Sequence, residues 1–129
     1  MLSWMKEDLE GKRYTEENHS LTSDILIKEL SVFYDRSVFR IKSNQGLRCA
    51  ASQMHDIADG VKTTLGLVLR FYTDKPITLV PTLLGSSLYM FDRKLKGDEK
   101  GVVQFSENEV LEVYMSSHYI ADYKVVKKE

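Results

Sequence analysis

The sequence predicts an α+β fold, with two helices in the N-terminal half packed on one face of a four- to six-stranded, mainly antiparallel sheet. Three observations predict it. Apolar residues recur at helical spacing in two segments ahead of residue 62. From residue 62 onward the period switches to two. Turn signals then separate one alternating run from the next. Helices first and strands afterwards is the order of an α+β chain rather than of an alternating α/β chain.

Residues 1–14 are charged and carry the anchors Leu2, Trp4 and Met5 before a break at Gly11, so they read as an N-terminal arm, loosely ordered or docked on a partner. Residues 15–129 read as a single domain. Thr15-Glu16-Glu17 has the chemistry of a helix start, a capping hydroxyl followed by acids at the positive end of the dipole, and Ser23-Asp24 repeats it. Leu26, Leu30 and Phe33 fall on one helical stripe, which places the first helix over about 16–35. Phe39 and Ile41 alternate with Val38, Arg40 and Lys42, giving a short strand that Asn44-Gln45-Gly46 ends. Leu47, Ala50, Ala51, Met54, Ile57, Ala58 and Val61 repeat at helical spacing, with Gly60 where a C-terminal cap belongs, so the second helix spans this segment.

Leu65, Leu67, Leu69 and Phe71 alternate with Thr64, Gly66, Val68, Arg70 and Tyr72, a strand of half-buried type. Thr73-Asp74-Lys75-Pro76 turns it. Ile77–Leu83 follows as a strand in which Pro81 marks an edge or a bulge. Further strands are expected over 88–93, 102–105, 110–116 and 119–125, the last through Tyr119, Ala121, Tyr123 and Val125. This order of elements resembles the curved-sheet α+β folds of the cystatin-like and nuclear transport factor-like groups. The resemblance implies a pocket between sheet and helices.

One domain of 129 residues is long enough to bury a core of its own. Its hydrophobic and charged contents, 43% and 29%, are those of a globular chain. No run approaches the roughly 20 apolar residues of a spanning helix. Cys49 is the single cysteine, which excludes a disulfide scaffold and suggests a reducing compartment. The N-terminus lacks the basic and apolar regions of a secretory signal, so the expected location is cytoplasmic. The formal charge of −1 is spread evenly along the chain, against a dedicated nucleic-acid binder.

No phosphate-binding loop, dinucleotide fingerprint, zinc set or nucleophile elbow is present, so no cofactor or metal is expected. The leading reading is a non-enzymatic protein–protein binding or assembly module, a homodimer through Tyr-rich strands or the apolar arm, with Trp4, Met5, Tyr72, Tyr114 and Tyr123 as interface residues. The alternative is a small-ligand binder, hydrolase or isomerase. On the second helix His55 and Asp59 are four residues apart and can touch, an imidazole steadied by a carboxylate as in a general base, with Asp56 on the same polar face. A third reading, a nucleic-acid-associated accessory protein, uses Arg93, Lys94, Lys96 and Lys100.

Overall fold

A computed structural model of the chain describes residues 2–8, 10–17, 26–34, 37–91, 93–115 and 120–129. No helix occurs among them. The chain is all-β. Its strands are β1 (Leu2–Asp8), β2 (Arg13–Glu17), β3 (Ile27–Tyr34), β4 (Ser37–Ala58), β5 (Val61–Thr73), β6 (Ile77–Leu79), β7 (Thr82–Leu84), β8 (Ser87–Met90), β9 (Arg93–Lys94), β10 (Val103–Phe105), β11 (Glu109–Met115) and β12 (Ile120–Lys127). Seven of them form one antiparallel sheet in the order β12-β11-β5-β4-β3-β1-β2. β10 pairs with β6, and β7, β8 and β9 form a small sheet of their own.

The expected α+β arrangement is therefore corrected, and with it the resemblance to folds that lay helices on a curved sheet. Of the first expected helix, the start at Thr15-Glu16-Glu17 lies in β2, residues 27–34 are β3, and 18–25 lie outside the described residues. Leu30, Val32 and Tyr34 are buried at period two while Ser31 and Phe33 are half-exposed, and Phe33 leaves the stripe that suggested a helix. Ser23-Asp24, a proposed helix start, lies outside the described residues. The second expected helix is the C-terminal half of β4. Leu47, Cys49 and Ala51 face the core, again at period two. Cys49, Ala50, Ala51 and Ser52 carry too little side chain to mark a face, so the pairing of β4 with β5 overrides the helical spacing. Gly60 caps no helix. Asp59 and Gly60 adopt φ of 53° and 78° and close β4 on β5 as a two-residue hairpin turn, for which Asp-Gly is a preferred pair. Of the strands expected from residue 62 onward, that over 77–83 is divided by Val80-Pro81 into β6 and β7, that over 88–93 ends at Met90 while Arg93 opens β9, and the others correspond to β5, β10, β11 and β12.

β4 is 22 residues long and serves two halves of the sheet. Residues Ser37 to Lys42 pair with β3, and Leu47 to Ala58 pair with β5. Between them the register jumps from Glu29↔Lys42 to Ile27↔Leu47, so four residues of β4 bulge opposite Lys28 alone. Such an insertion bends a strand sharply. The Gln45 amide donates to Ser43 Oγ at 3.0 Å inside the bend, and Gly46 leaves room for Leu26, whose Cβ lies 2.8 Å from where a Gly46 Cβ would stand. The bend curls the sheet, and β12 returns into contact with β4.

One core fills the concave side. Phe39, Leu30, Val32, Leu69, Leu111, Val113 and Met115 have no exposure there. Aromatic rings tie the small sheet into it. Phe39 lies 5.5 Å from Phe71 and 5.2 Å from Phe91, and Phe91 meets Tyr123 edge-on at 5.3 Å. Phe91 holds a left-handed φ of 54°, a conformation that costs a bulky residue free energy. The contacts of its ring with Phe39 and Tyr123 offset that cost. Cys49 is buried in the same core, and burial pushes its thiol well above the ordinary range while the positive charge of Lys6 offsets a part of the shift. A thiol reagent at mildly alkaline pH is expected to leave the native protein unmodified and to label Cys49 once denaturant unfolds it. Stoichiometric labelling of native protein would show that the core opens there.

Candidate functional site

The convex face of the large sheet is covered by paired charges. In register, Arg70 stands between Ala50 and Glu112, and Glu112 stands opposite Lys124. Arg70 Nε lies 3.0 Å from Glu112 Oε2 and its Nη1 donates to Ser52 Oγ at 3.1 Å. Tyr114 donates its hydroxyl to Glu112 at 2.9 Å, and Lys124 Nζ sits 5.6 Å above the Tyr114 ring. Tyr72 carries Lys128 at 5.7 Å. Two of the proposed interface tyrosines thus lie on this face, each already beneath a lysine. Tyr123 lies on the other side, against Phe91 and beneath the Arg93 guanidinium at 5.2 Å. Tyr119 lies outside the described residues.

The expected arm is a strand. β1 lies between β2 and β3, Met5 is 41% exposed, and Trp4 stands opposite Val32 in the register. The Trp4 side chain lies outside the described part of the structure.

The expected general base does not assemble. His55 and Asp59 share no helix face. β4 runs extended as far as Ala58 and Asp59 lies in the turn beyond it, so no helical turn stacks the two side chains. His55 instead lies across from Thr64, with Nδ1 3.3 Å from Thr64 Oγ1, and Asp56 pairs with Thr63. All three acid–base candidates are exposed. The basic hairpin expected at Arg93, Lys94, Lys96 and Lys100 is interrupted by acids. Arg93 is ion-paired with Glu99, and the Lys96 amide together with that guanidinium holds the Glu99 carboxyl below its ordinary range. Lys94, Lys96 and Lys100 are exposed.

Two features stand out once these residues are placed. The first is the far end of the β4–β5 hairpin. Beyond Gly66 the two strands, among the described residues, pair only with each other. Their register slips at Met54/His55, leaving Leu65 without a partner across the ladder. Every residue from His55 to Leu65 is exposed, including Ile57 at 71%, Val61 at 63% and Leu65 at 55%. Counted as strand from Met54 to Ala58, the ribbon reaches about 17 Å. Alternation alone puts Leu65 in line with the core residues Leu67 and Leu69. The bulge takes it out of line, and nothing in the local pattern announces a bulge.

The second feature is a groove of about 690 Å³ between the first half of β4 and the segment Ile77–Leu84. Arg40, Lys42, Glu29 and Tyr89 line it, and Val80 and Leu84 on its wall are 65% and 58% exposed. It arises from residues brought together by the curl of the sheet, so no sequence motif marks it. Among the described residues no group of His, Cys, Asp and Glu is placed to hold a metal ion, and no helix is long and apolar enough to cross a membrane. Comparison with protein-family models, with curated proteins and with solved structures gave no match to this chain.

Proposed function

We propose that this chain is a non-enzymatic assembly module and that the end of the β4–β5 ribbon is its contact. The observation that carries the reading is the exposure of Ile57, Val61 and Leu65 on a narrow two-stranded projection. An isolated hairpin is at best marginally stable in water, and unpaired strand edges with apolar side chains favour further contacts. Covering these three side chains would return apolar surface to a dry environment, at about 25 cal/mol per Å². The convex sheet face offers less, because its tyrosines and arginines already have partners. A cytoplasmic setting fits the reading, since the single cysteine is a buried free thiol.

The test is sedimentation velocity over a hundredfold concentration range. The unaltered chain is expected to associate as concentration rises. Ile57→Glu combined with Val61→Glu is expected to sediment as a monomer throughout, with an unchanged far-UV spectrum because both positions are exposed. A monomeric unaltered chain, or a variant that associates as tightly as its parent, would overturn the reading.

A further inference from the structure

We infer that Asp59-Gly60, at the tip of the ribbon, is a site of spontaneous isomerisation to isoaspartate, and that this change limits the life of the contact made there. The effect on the contact rests on the ribbon being a contact surface. The chemistry at Asp59 stands without it.

Among the aspartates and asparagines of the chain, only Asp59 is followed by a glycine. The reaction needs no reagent beyond water. The Gly60 amide nitrogen attacks Cγ of the Asp59 carboxyl group in its acid form. An N–Cγ bond forms, the amide proton and the carboxyl hydroxyl leave as water, and a five-membered succinimide results. Water then opens the ring. Opening at Cγ restores aspartate. Opening at the main-chain carbonyl carbon of Asp59 leaves the chain running through Cγ, which is isoaspartate. One water leaves and one enters, so the mass is unchanged. A side chain on the following residue crowds the attacking nitrogen, and glycine has none.

The local structure favours the same residue. Asp59 and Gly60 are both exposed, and nothing lies within 4 Å of where a Gly60 Cβ would stand. The ladder closes with Ala58 opposite Val61, so the Asp59–Gly60 peptide lies in the turn beyond it. Ring closure requires that peptide to swing out of its left-handed geometry. Residues 54–65 pair, among the described residues, only with each other. A two-stranded ribbon is marginally stable alone, so its end opens at a small fraction of the free energy of global unfolding. Three other exposed aspartates are worse placed. The amide after Asp98 is that of Glu99, which donates to the Lys96 carbonyl at 3.0 Å. The amide after Asp74 is that of Lys75, which donates to Thr73 Oγ1 at 3.3 Å. Asp56 is followed by the β-branched Ile57. Isoaspartate puts the Asp59 Cβ into the main chain and lengthens the turn. Hairpin turns are matched to their strands by length. Ala58 and Val61 then lose their pairing, and Ile57 and Val61 lose the facing strands that present them.

The test is incubation of the full chain for weeks at physiological temperature and neutral pH. Isoaspartate is read by methyl transfer from S-adenosylmethionine with an isoaspartate-specific carboxyl methyltransferase, and located by fragmentation of proteolytic peptides. Isoaspartate is expected to accumulate at Asp59 faster than at any other aspartate. Asp59→Glu, whose longer side chain does not close a five-membered ring, is expected to form none at that position. Sedimentation velocity of the aged chain is expected to show association lost in step with isoaspartate content, whereas aged and fresh Asp59→Glu sediment alike. An Asp59 that stays intact, or that isomerises no faster than Asp98, would overturn the site. Isoaspartate at Asp59 with association undiminished would overturn its effect on the contact. Fresh unaltered chain that does not associate would show that the reading of the ribbon has failed, while the peptide map of the same aged sample still decides the chemistry at Asp59.

Discussion

Gly66→Ala is expected to destabilise the protein by about 3 kcal/mol, the upper part of the range for overpacking a close contact. A Cβ at Gly66 would fall on the carbonyl oxygen of Met115 and within 2.9 Å of Met54 Cε. The methionine tip can move aside, but the carbonyl is backbone at the end of β11, beside the last paired residues of that strand. Relieving the clash means pulling β11 away from β5 or unpairing its end. The measurement is the urea midpoint, which should fall at an unchanged slope. A loss below about 1 kcal/mol, the size of an ordinary substitution, would show that β11 does not approach Gly66 this closely.

Phe39→Ala is expected to cost about 4 kcal/mol, in the range for truncating a large buried aromatic side chain. Phe39 has no exposure and joins two parts of the molecule, touching Phe71 of the large sheet and Phe91 of the turn that follows β8. Its loss also removes the support that holds Phe91 at a left-handed φ. The small sheet should therefore loosen along with the core. Amide exchange in β7 and β8 should accelerate more than the fall in global stability explains. Equal acceleration everywhere would show that Phe39 is a generic core residue rather than the link between the sheets.

These two residues also show how unevenly the fold is written in the sequence. Phe39 and the strands from Leu67 onward were legible, because large side chains alternate there between clear turn signals. The necessity of Gly66 was not, since it depends on a carbonyl about fifty residues away in the chain. The two expected helices failed for a common reason. Each has large residues whose spacing satisfies a helix, Leu26, Leu30 and Phe33 in one and Leu47, Met54 and Ile57 in the other. Bulges at Ile27/Glu29 and at Met54/His55 break the period of two that would have revealed the strands. Asp59-Gly60 was the available correction, a hairpin signal outweighed by the apparent helical spacing before it. His55, Asp56 and Asp59, whose spacing suggests acid–base chemistry on a helix, lie instead on the proposed contact ribbon, where the strand and its turn set them apart. The groove was beyond reach of the sequence, because it exists only once β4 has bent.

Copies of this chain are expected to meet through the end of the β4–β5 ribbon. Hydrogen exchange on the unaltered protein at low and at high concentration tests it most directly. Concentration-dependent protection is expected at residues 54–65, with the paired core of β5 and β11 unchanged. Protection that does not vary with concentration, or that appears on β1 or on the face bearing Tyr114 and Lys124 instead, would contradict the account.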